Sequence, residues 1–502
     1  MLSTAGCYGT TSAAEDSGDP VILRITVEQE CLGLWDRLAG SLPLPEGFIS
    51  ETPENSAQPA GSSEDAAILN LRVYRTYSME EDKSAGIDSS VFILDYRPLI
   101  PVVPLWDPRN DIDLDASLQL PLRTPDEDIL PLKGLSVEGR YIDDPDYPLA
   151  EYTLLTIEWN GDGEDPPVSG TNRESLVEWC SGLEMKQPQM KDRQLRWIAG
   201  VGDIMVQRGI QDILISQGPD GMERIFHDTL PVLQAQDFLT GNLEGAVTTG
   251  GTPTPKSYNF RFSPKVLPWL AEAGFDYFSI TNNHCYDYGE SGFTDTLKHL
   301  REYGIASSGG GLTITEAYAP YETAIGDFPV KVLSVGAYPR EKNGFDGRKQ
   351  AQVSDTRPGI IFSGPRVLES IREFSGRGSI DIVIAHGGEE WMNRPTPGQQ
   401  EFYRSCIDAG ADIVLGHHPH VLQGMESYNG GLIAYSLGNF LFPGMYEMPF
   451  AEETVILSIG FSGDRPVYVR PYPVTIENRE IRMETPPSRI MPRFLTLTRD
   501  LE

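Results

Sequence analysis

Gly410 to Phe442 reads GADIVLGHHPHVLQGMESYNGGLIAYSLGNFLF, and it places three of the chain's seven histidines, His417, His418 and His420, within four residues. Apolar Ile413, Val414 and Leu415 lead into the run, so it reads as a buried strand that stops abruptly in a His-rich loop. In α/β proteins the carboxyl ends of such strands are where ligands bind. In an extended backbone, side chains two apart share a face, so His418 and His420 are expected to point the same way. Two imidazoles from a rigid strand end supply half of a transition-metal site. His417 remains an alternative ligand within the same run.

Working outward from this stretch, strand-like and helix-like segments alternate from Gln194 onward, the pattern of a layered α/β domain. LRWIAGVGDIMV, DFLTGNLEG, FDYFSITNNH, KVLSVGAY and DIVIAHGGEEW read as strands that end in loops. SPKVLPWLAEAGF, SGFTDTLKHLREYG and QQEFYRSCIDAG read as helices, the second stopped by Gly304. After Leu457, ILSIGFS, VYVRPYPVTI and FLTLTRD all read as β segments of a closing sheet edge.

Five strand ends carry polar groups suited to a cation. They are Asp203; Glu244, next to Asn242; Asn282, Asn283, His284 and Asp287; His386; and His418 with His420. Singly, each has an ordinary explanation: an Asp after Gly in a turn, or a satisfied core histidine. Together, carboxylate, amide and imidazole donors suit one or two divalent ions such as Mn, Fe, Zn or Mg. A carboxylate such as Glu244 or Asp203 can bridge two ions roughly 3.5–4 Å apart, an arrangement used for displacement at phosphorus.

The 73 acidic against 40 basic residues give a net charge of −33, which argues against nucleic acid or an anionic membrane surface as a partner. Cys7, Cys31, Cys180, Cys285 and Cys406 are scattered and form no CxxC pair, so no disulfide scaffold is implied. Thr4-Ala5-Gly6-Cys7 resembles a bacterial lipobox ahead of a Ser/Thr/Asp-rich stretch. The expectation is an extracytoplasmic protein anchored as a lipoprotein through Cys7.

The expected organisation is a flexible tether over 1–20, a mixed α/β module over 21–191, an α/β domain over 192–460 and a C-terminal β extension over 461–502 packed on that domain. The 21–191 module contains no histidine, which argues against catalysis there, and it loosely resembles one lobe of a periplasmic substrate-binding domain. ECLGLWDRLAGSL within it reads as a short helix.

GDIMVQRG, GNLE, FDYFSITNNHCYDYGESGFTDTLKHLREYGI, HGGEEW with PTPGQ, and the Gly410–Phe442 stretch together resemble the capsule-biosynthesis CapA/PgsA family, over about residues 197–442. The resemblance implies a calcineurin-like metallophosphoesterase fold, a four-layer αββα sandwich, here preceded by a smaller mixed α/β domain. It implies a role in poly-γ-glutamate or other envelope-polymer synthesis, with an anionic polymer or phosphorylated envelope substrate and membrane-bound capsule synthase subunits as partners. Carried over, Asp203, Glu244, Asn283, His386, His418 and His420 would hold divalent metal, and His284 would face the leaving group with Asp287 orienting it. Met205 stands where ordinary phosphoesterases have a ligand histidine, and Gly387 where the family usually has Trp. Arg208 and Arg261 are candidate anion contacts. The resemblance leaves two roles open, a metal-dependent hydrolase and a non-catalytic binding or assembly factor.

Overall fold

The computed structural model describes residues 195–501 apart from 343 and 488, and, before them, 21–27, 31, 48–51, 68–76, 89–98, 100–117, 119–123, 132–141, 150–158 and 170–183. Cys7 and the 1–20 tether lie outside the described residues, as does all but Cys31 of the expected helix ECLGLWDRLAGSL.

The chain divides into two compact units. In the smaller, a five-stranded sheet has the order Phe48–Glu51, Val21–Val27, Ile68–Thr76, Ala150–Glu158, Ser89–Pro98. Its first three strands run parallel, and Ala150–Glu158 lies antiparallel to both of its neighbours. A helix over Gly170–Leu183 buries Leu176, Trp179 and Cys180.

The larger unit holds residues 193–502 and also takes up 101–112 and 118–136 from the stretch expected to form one 21–191 module. Within those segments Val102 pairs with Gly134, whose carbonyl accepts from Arg470 in the long strand Arg465–Glu477.

Two sheets form the centre of this unit. The first has the order Tyr277–Ser279, Phe238–Leu243, Arg196–Ile204, Glu453–Ser462, Arg465–Glu477, Glu480–Met483, with Asn439–Leu441 beside Arg196–Ile204. The second has the order Tyr321–Ile325, Phe328–Ala337, Ile380–Gly387, Ile413–His417, Gly431–Leu437, Leu422–Tyr428. Strand IDIVIAHG is buried along its whole length, as a strand covered on both faces must be.

The core clusters sort by side-chain alternation. Ile382 and Ile384 pack with Ile413, Leu415, Ile198 and Leu457 between the two sheets. Val383 and Ala385 point the other way, onto Val367 and Ile371 of helix Pro365–Phe374 and Tyr403 and Cys406 of helix Pro397–Asp408. The far face of the first sheet, through Ala199, Val201 and Leu239, packs on Leu214, Ile225, Leu270 and Phe293 from four further helices. Helices, sheet, sheet, helices: the layers are those of an αββα sandwich.

One sequence expectation is corrected at the C-terminus. FLTLTRD is not a strand but part of helix Ile490–Arg499. Its alternating Leu and Thr suggested a period of two, yet Ile490, Phe494 and Leu497 recur at helical spacing and are buried against the fold.

Candidate functional site

The site lies where the carboxyl ends of parallel strands from both sheets meet. By alternation from Ile382 and Ile384, His386 faces the first sheet, and by alternation from Ile413 and Leu415 so does His417. Asp203 needs a device, because strict alternation from Ala199 and Val201 would turn it toward the helices. A register irregularity between Gly200 and Asp203 breaks that alternation and sets Asp203 opposite Asn242 on one side and Asn439 on the other. Gly202 is required for this passage, since a Cβ there would sit 2.2 Å from the Gly438 carbonyl oxygen.

The His-rich run converges for a different reason than strand alternation. The strand ends at His417, and His418 (φ 97°) and His420 (φ 58°) both adopt left-handed backbone conformations. Non-glycine residues rarely do so, and such strain concentrates at functional sites. The two rings lie 6.2 Å apart, and His418 is 4.9 Å from the ring of His386.

Asp203, Glu244, Asn283, His284, Asp287, His386, His417, His418 and His420 are all buried. One donor atom each from Asp203, Glu244 and His386 falls within 4.8 Å of the others. His386 Nε2 is 3.1 Å from Asn283 Oδ1. His420 Nε2 and His284 Nε2 lie 3.6 and 3.8 Å from Glu244 Oε1. Asp203 Oδ1 accepts from Asn242 Nδ2 at 2.8 Å, while Asn439 Oδ1 lies 2.9 Å from His420 Nδ1. With the Nδ1 hydrogen directed at Asn439, His420 turns its Nε2 toward Glu244.

Several of these donors lack a hydrogen-bond partner: Asp203 Oδ2, Glu244 Oε1, and the Nδ1 atoms of His386, His417 and His418. His417 Nδ1 is 3.2 Å from Asp203 Oδ1, and His420 Nδ1 the same distance from Asp203 Oδ2, but these approaches lack hydrogen-bond alignment. Buried polar groups are normally paired. A cluster of unpaired lone pairs on hard and borderline donors fits a divalent cation.

Electrostatics say the same. Burial would raise Asp203, but His417 and His420 beside it hold its carboxyl well below the usual range. Burial and the Asp203 charge push Glu244 well above it. Burial works against a charge on His420, yet Glu244 and Asp203 outweigh it and raise its pKa to about 10. His386 is driven down by burial and by His418, and His418 falls to about 3 through burial and the His420 charge. Asp203 is thus held toward its ionised form, while Glu244 and His420 are both pushed toward their protonated forms.

A divalent ion taken up here would compete with the protons that Glu244 and His420 are pushed to hold, so its uptake at neutral pH is expected to release protons. Both pKa values are raised, so affinity should climb as pH rises toward 10 and weaken as it falls. Without metal the His420 pairing stabilises the fold fully below about pH 6.5 and is lost as pH rises through about 10. Calorimetric metal titrations in buffers of different ionisation enthalpy check this, and a buffer-independent enthalpy would contradict it.

The two arginines have partners outside the donor cluster. Arg208 donates to the carbonyls of Pro443 and Gly444, and Arg261 lies over the Tyr288 ring at 4.6 Å. Met205 is in the apolar core, its sulfur accepting from the Gln207 N–H, so the position adds no ligand. The sequence reading passed over Lys256, Glu341, Asn439 and Trp391, whose ring stacks 5.3 Å from that of His420. Of these, Asn439, inside SLGNF within the opening stretch, and Trp391, the last residue of HGGEEW, stood in motifs already singled out.

Residues 197–444 match the family described as bacterial capsule synthesis protein PGA_cap. The PGA biosynthesis protein CapA of Bacillus subtilis (strain 168) is 32% identical over 269 residues, covering 53% of this chain and 68% of that protein. This chain belongs to the PGA_cap family. The capsule biosynthesis protein CapA of Bacillus anthracis is similar at 33% over 277 residues, covering 53% of this chain and 64% of its own length. A crystal structure of a phosphatase from Mycoplasma pneumoniae aligns with 56% of this chain and 94% of its own at 12% identity and a TM-score of 0.36, too distant to bear on function. Every donor that meets at the strand ends lies inside the segment matched by the PGA_cap family.

Proposed function

We propose that this PGA_cap protein is a metal-dependent hydrolase of phosphoester or related bonds, acting in the synthesis of capsule, poly-γ-glutamate or another envelope polymer. The observation that carries the reading is the set of buried, unpartnered donor atoms around Asp203, Glu244 and His386. Asp203, Glu244, Asn283, His386, His418 and His420 would hold one or two ions of Mn, Fe, Zn or Mg, with His417 in reach of Asp203. When bound, such an ion supplies Lewis-acid polarisation of a phosphoryl oxygen and an activated water. His284, backed by Asp287 at 2.6 Å, presents Nε2 to the same space and would hold or deliver a proton at the leaving oxygen.

Element analysis of protein purified without added metal, followed by phosphomonoester, phosphodiester and amide substrates, tests the reading. Stoichiometric metal with turnover on one class supports it, and protein free of transition metal and Mg overturns it.

Met205 favours a second reading, in which the centre binds metal but turns nothing over and the protein serves as an assembly factor for an anionic polymer and membrane-bound synthase subunits. Bound metal without turnover on any substrate would select it. Anchoring through Cys7 outside the cytoplasm is part of either proposal. No helix among the described residues is long and apolar enough to cross a membrane. The Cys7→Ser variant should leave the membrane fraction while the wild type stays in it, and equal partitioning would end that proposal.

A further inference from the structure

Lys256 is a buried charge that the proposed reaction leaves unused. Its side chain is 1% exposed, and its ammonium meets three oxygens: the Asn283 carbonyl at 2.7 Å, Asp287 Oδ1 at 3.0 Å and Glu341 Oε1 at 2.8 Å. It also lies 4.4 Å from the centre of the Phe345 ring. An ammonium has three N–H donors, so the group is fully occupied inside the protein and offers nothing to a substrate. Burying a lysine is costly unless it is paired and hydrogen-bonded, and here two carboxylates and a carbonyl compensate it.

Each carboxylate in turn holds one side chain of the site. Glu341 Oε1 accepts from Asn283 Nδ2 at 3.2 Å, which leaves Asn283 Oδ1 turned toward His386 Nε2. An amide presents oxygen or nitrogen depending on which end its neighbours hold, and only the oxygen can ligate a metal. Asp287 Oδ2 accepts from the Phe260 N–H at 2.7 Å and lies 2.6 Å from His284 Nδ1. A carboxylate only accepts, so the His284 proton sits on Nδ1 and the lone pair on Nε2, toward Glu244.

We propose that Lys256 is a positioning residue that fixes, through Glu341 and Asp287, which atom Asn283 and which ring nitrogen His284 present to the centre. The proposal rests on reading that centre as a metal site. One cation thus makes two orientation choices at once, for a ligand and for the proton carrier beside it. Without the ammonium, Glu341 Oε1 and Asp287 Oδ1 each lose a charged donor, so the two carboxylates can turn from the geometry that orients the amide and the imidazole, Asp287 Oδ2 being left with the Phe260 N–H.

The test uses the full chain labelled with 15N-histidine, with Zn2+ as the metal probe and Lys256→Met, Lys256→Arg and Glu341→Gln as variants. Glu341→Gln should weaken Zn2+ binding about 10–100-fold, the usual effect of losing a group that orients a ligand, with His284 still carrying its proton on Nδ1. Lys256→Met should weaken Zn2+ binding similarly and also move the His284 proton toward Nε2 in long-range 1H–15N spectra. Lys256→Arg, which keeps the charge, should recover part of both.

A folded Lys256→Met protein with wild-type Zn2+ affinity and His284 unchanged overturns the proposal. Should Lys256→Met not fold, wild-type Zn2+ affinity in Glu341→Gln overturns it instead. If the wild type binds no Zn2+, the metal reading fails, while the His284 proton position in metal-free Lys256→Met or Lys256→Arg still decides the role of Lys256.

Discussion

Replacing Asp203 with alanine is expected to leave purified protein without bound divalent metal and to reduce hydrolysis by about 10³-fold or more. The carboxylate is fully buried and held from one side by Asn242 Nδ2. Of the Asp203–Glu244 pair it is the carboxylate held toward its ionised form, because His417 and His420 lie beside it, whereas Glu244 is pushed up. A divalent ion approaching this site meets its strongest fixed negative charge there. Lewis-acid stabilisation by a bound metal is worth several kcal/mol, and each 1.36 kcal/mol is a factor of ten in rate. Asp203→Asn should lose metal almost as completely, since the amide keeps the shape and removes the charge. Circular dichroism should show the sandwich intact, because the apolar packing between the sheets does not involve this side chain. Asp203→Ala protein that purifies with stoichiometric metal would show that the cluster around Asp203 is not the binding site.

Much of this arrangement could be read from residues, for reasons that differ from one element to the next. Ile382–Ile384 and Ile413–Leu415 are uninterrupted apolar runs, so burial on both faces and the location of their ends followed directly. The His418–His420 rings do lie near each other, 6.2 Å apart, but not by the route expected. An extended strand was expected to align the rings, whereas left-handed backbone at both residues brings them in. Asp203 was assigned from its motif alone, and nothing in GVGDIM reveals the register irregularity that aims it. Lys256 was invisible because it sits in GTPTPKSYNF, a stretch with no periodicity, and two of its partners lie 27 and 31 residues away. FLTLTRD failed because a short Leu/Thr alternation fits either period until its packing partners are known.

His284→Ala should keep its metal and still lose about 10²–10⁴-fold in hydrolysis of alkyl phosphoesters, the usual contribution of a positioned acid or base. The outcome separates proton transfer from metal binding, because Asp203, Glu244, Asn283 and His386 remain in place. His284 Nε2 faces Glu244 at 3.8 Å, so it is the nitrogen that can reach a leaving oxygen. With Nδ1–H directed at Asp287, Nε2 carries a proton only when the ring is charged. Burial lowers the His284 pKa, and the Asp287 charge offsets only part of that shift. Protonation of the leaving oxygen by His284 should therefore fade as pH rises through a range below 6.5, and His284→Ala should lose that dependence. Aryl esters, whose leaving groups depart without a proton, should be affected far less than alkyl esters. Equal losses on both substrate types, with metal retained, would show that His284 orients the substrate and does not supply the proton.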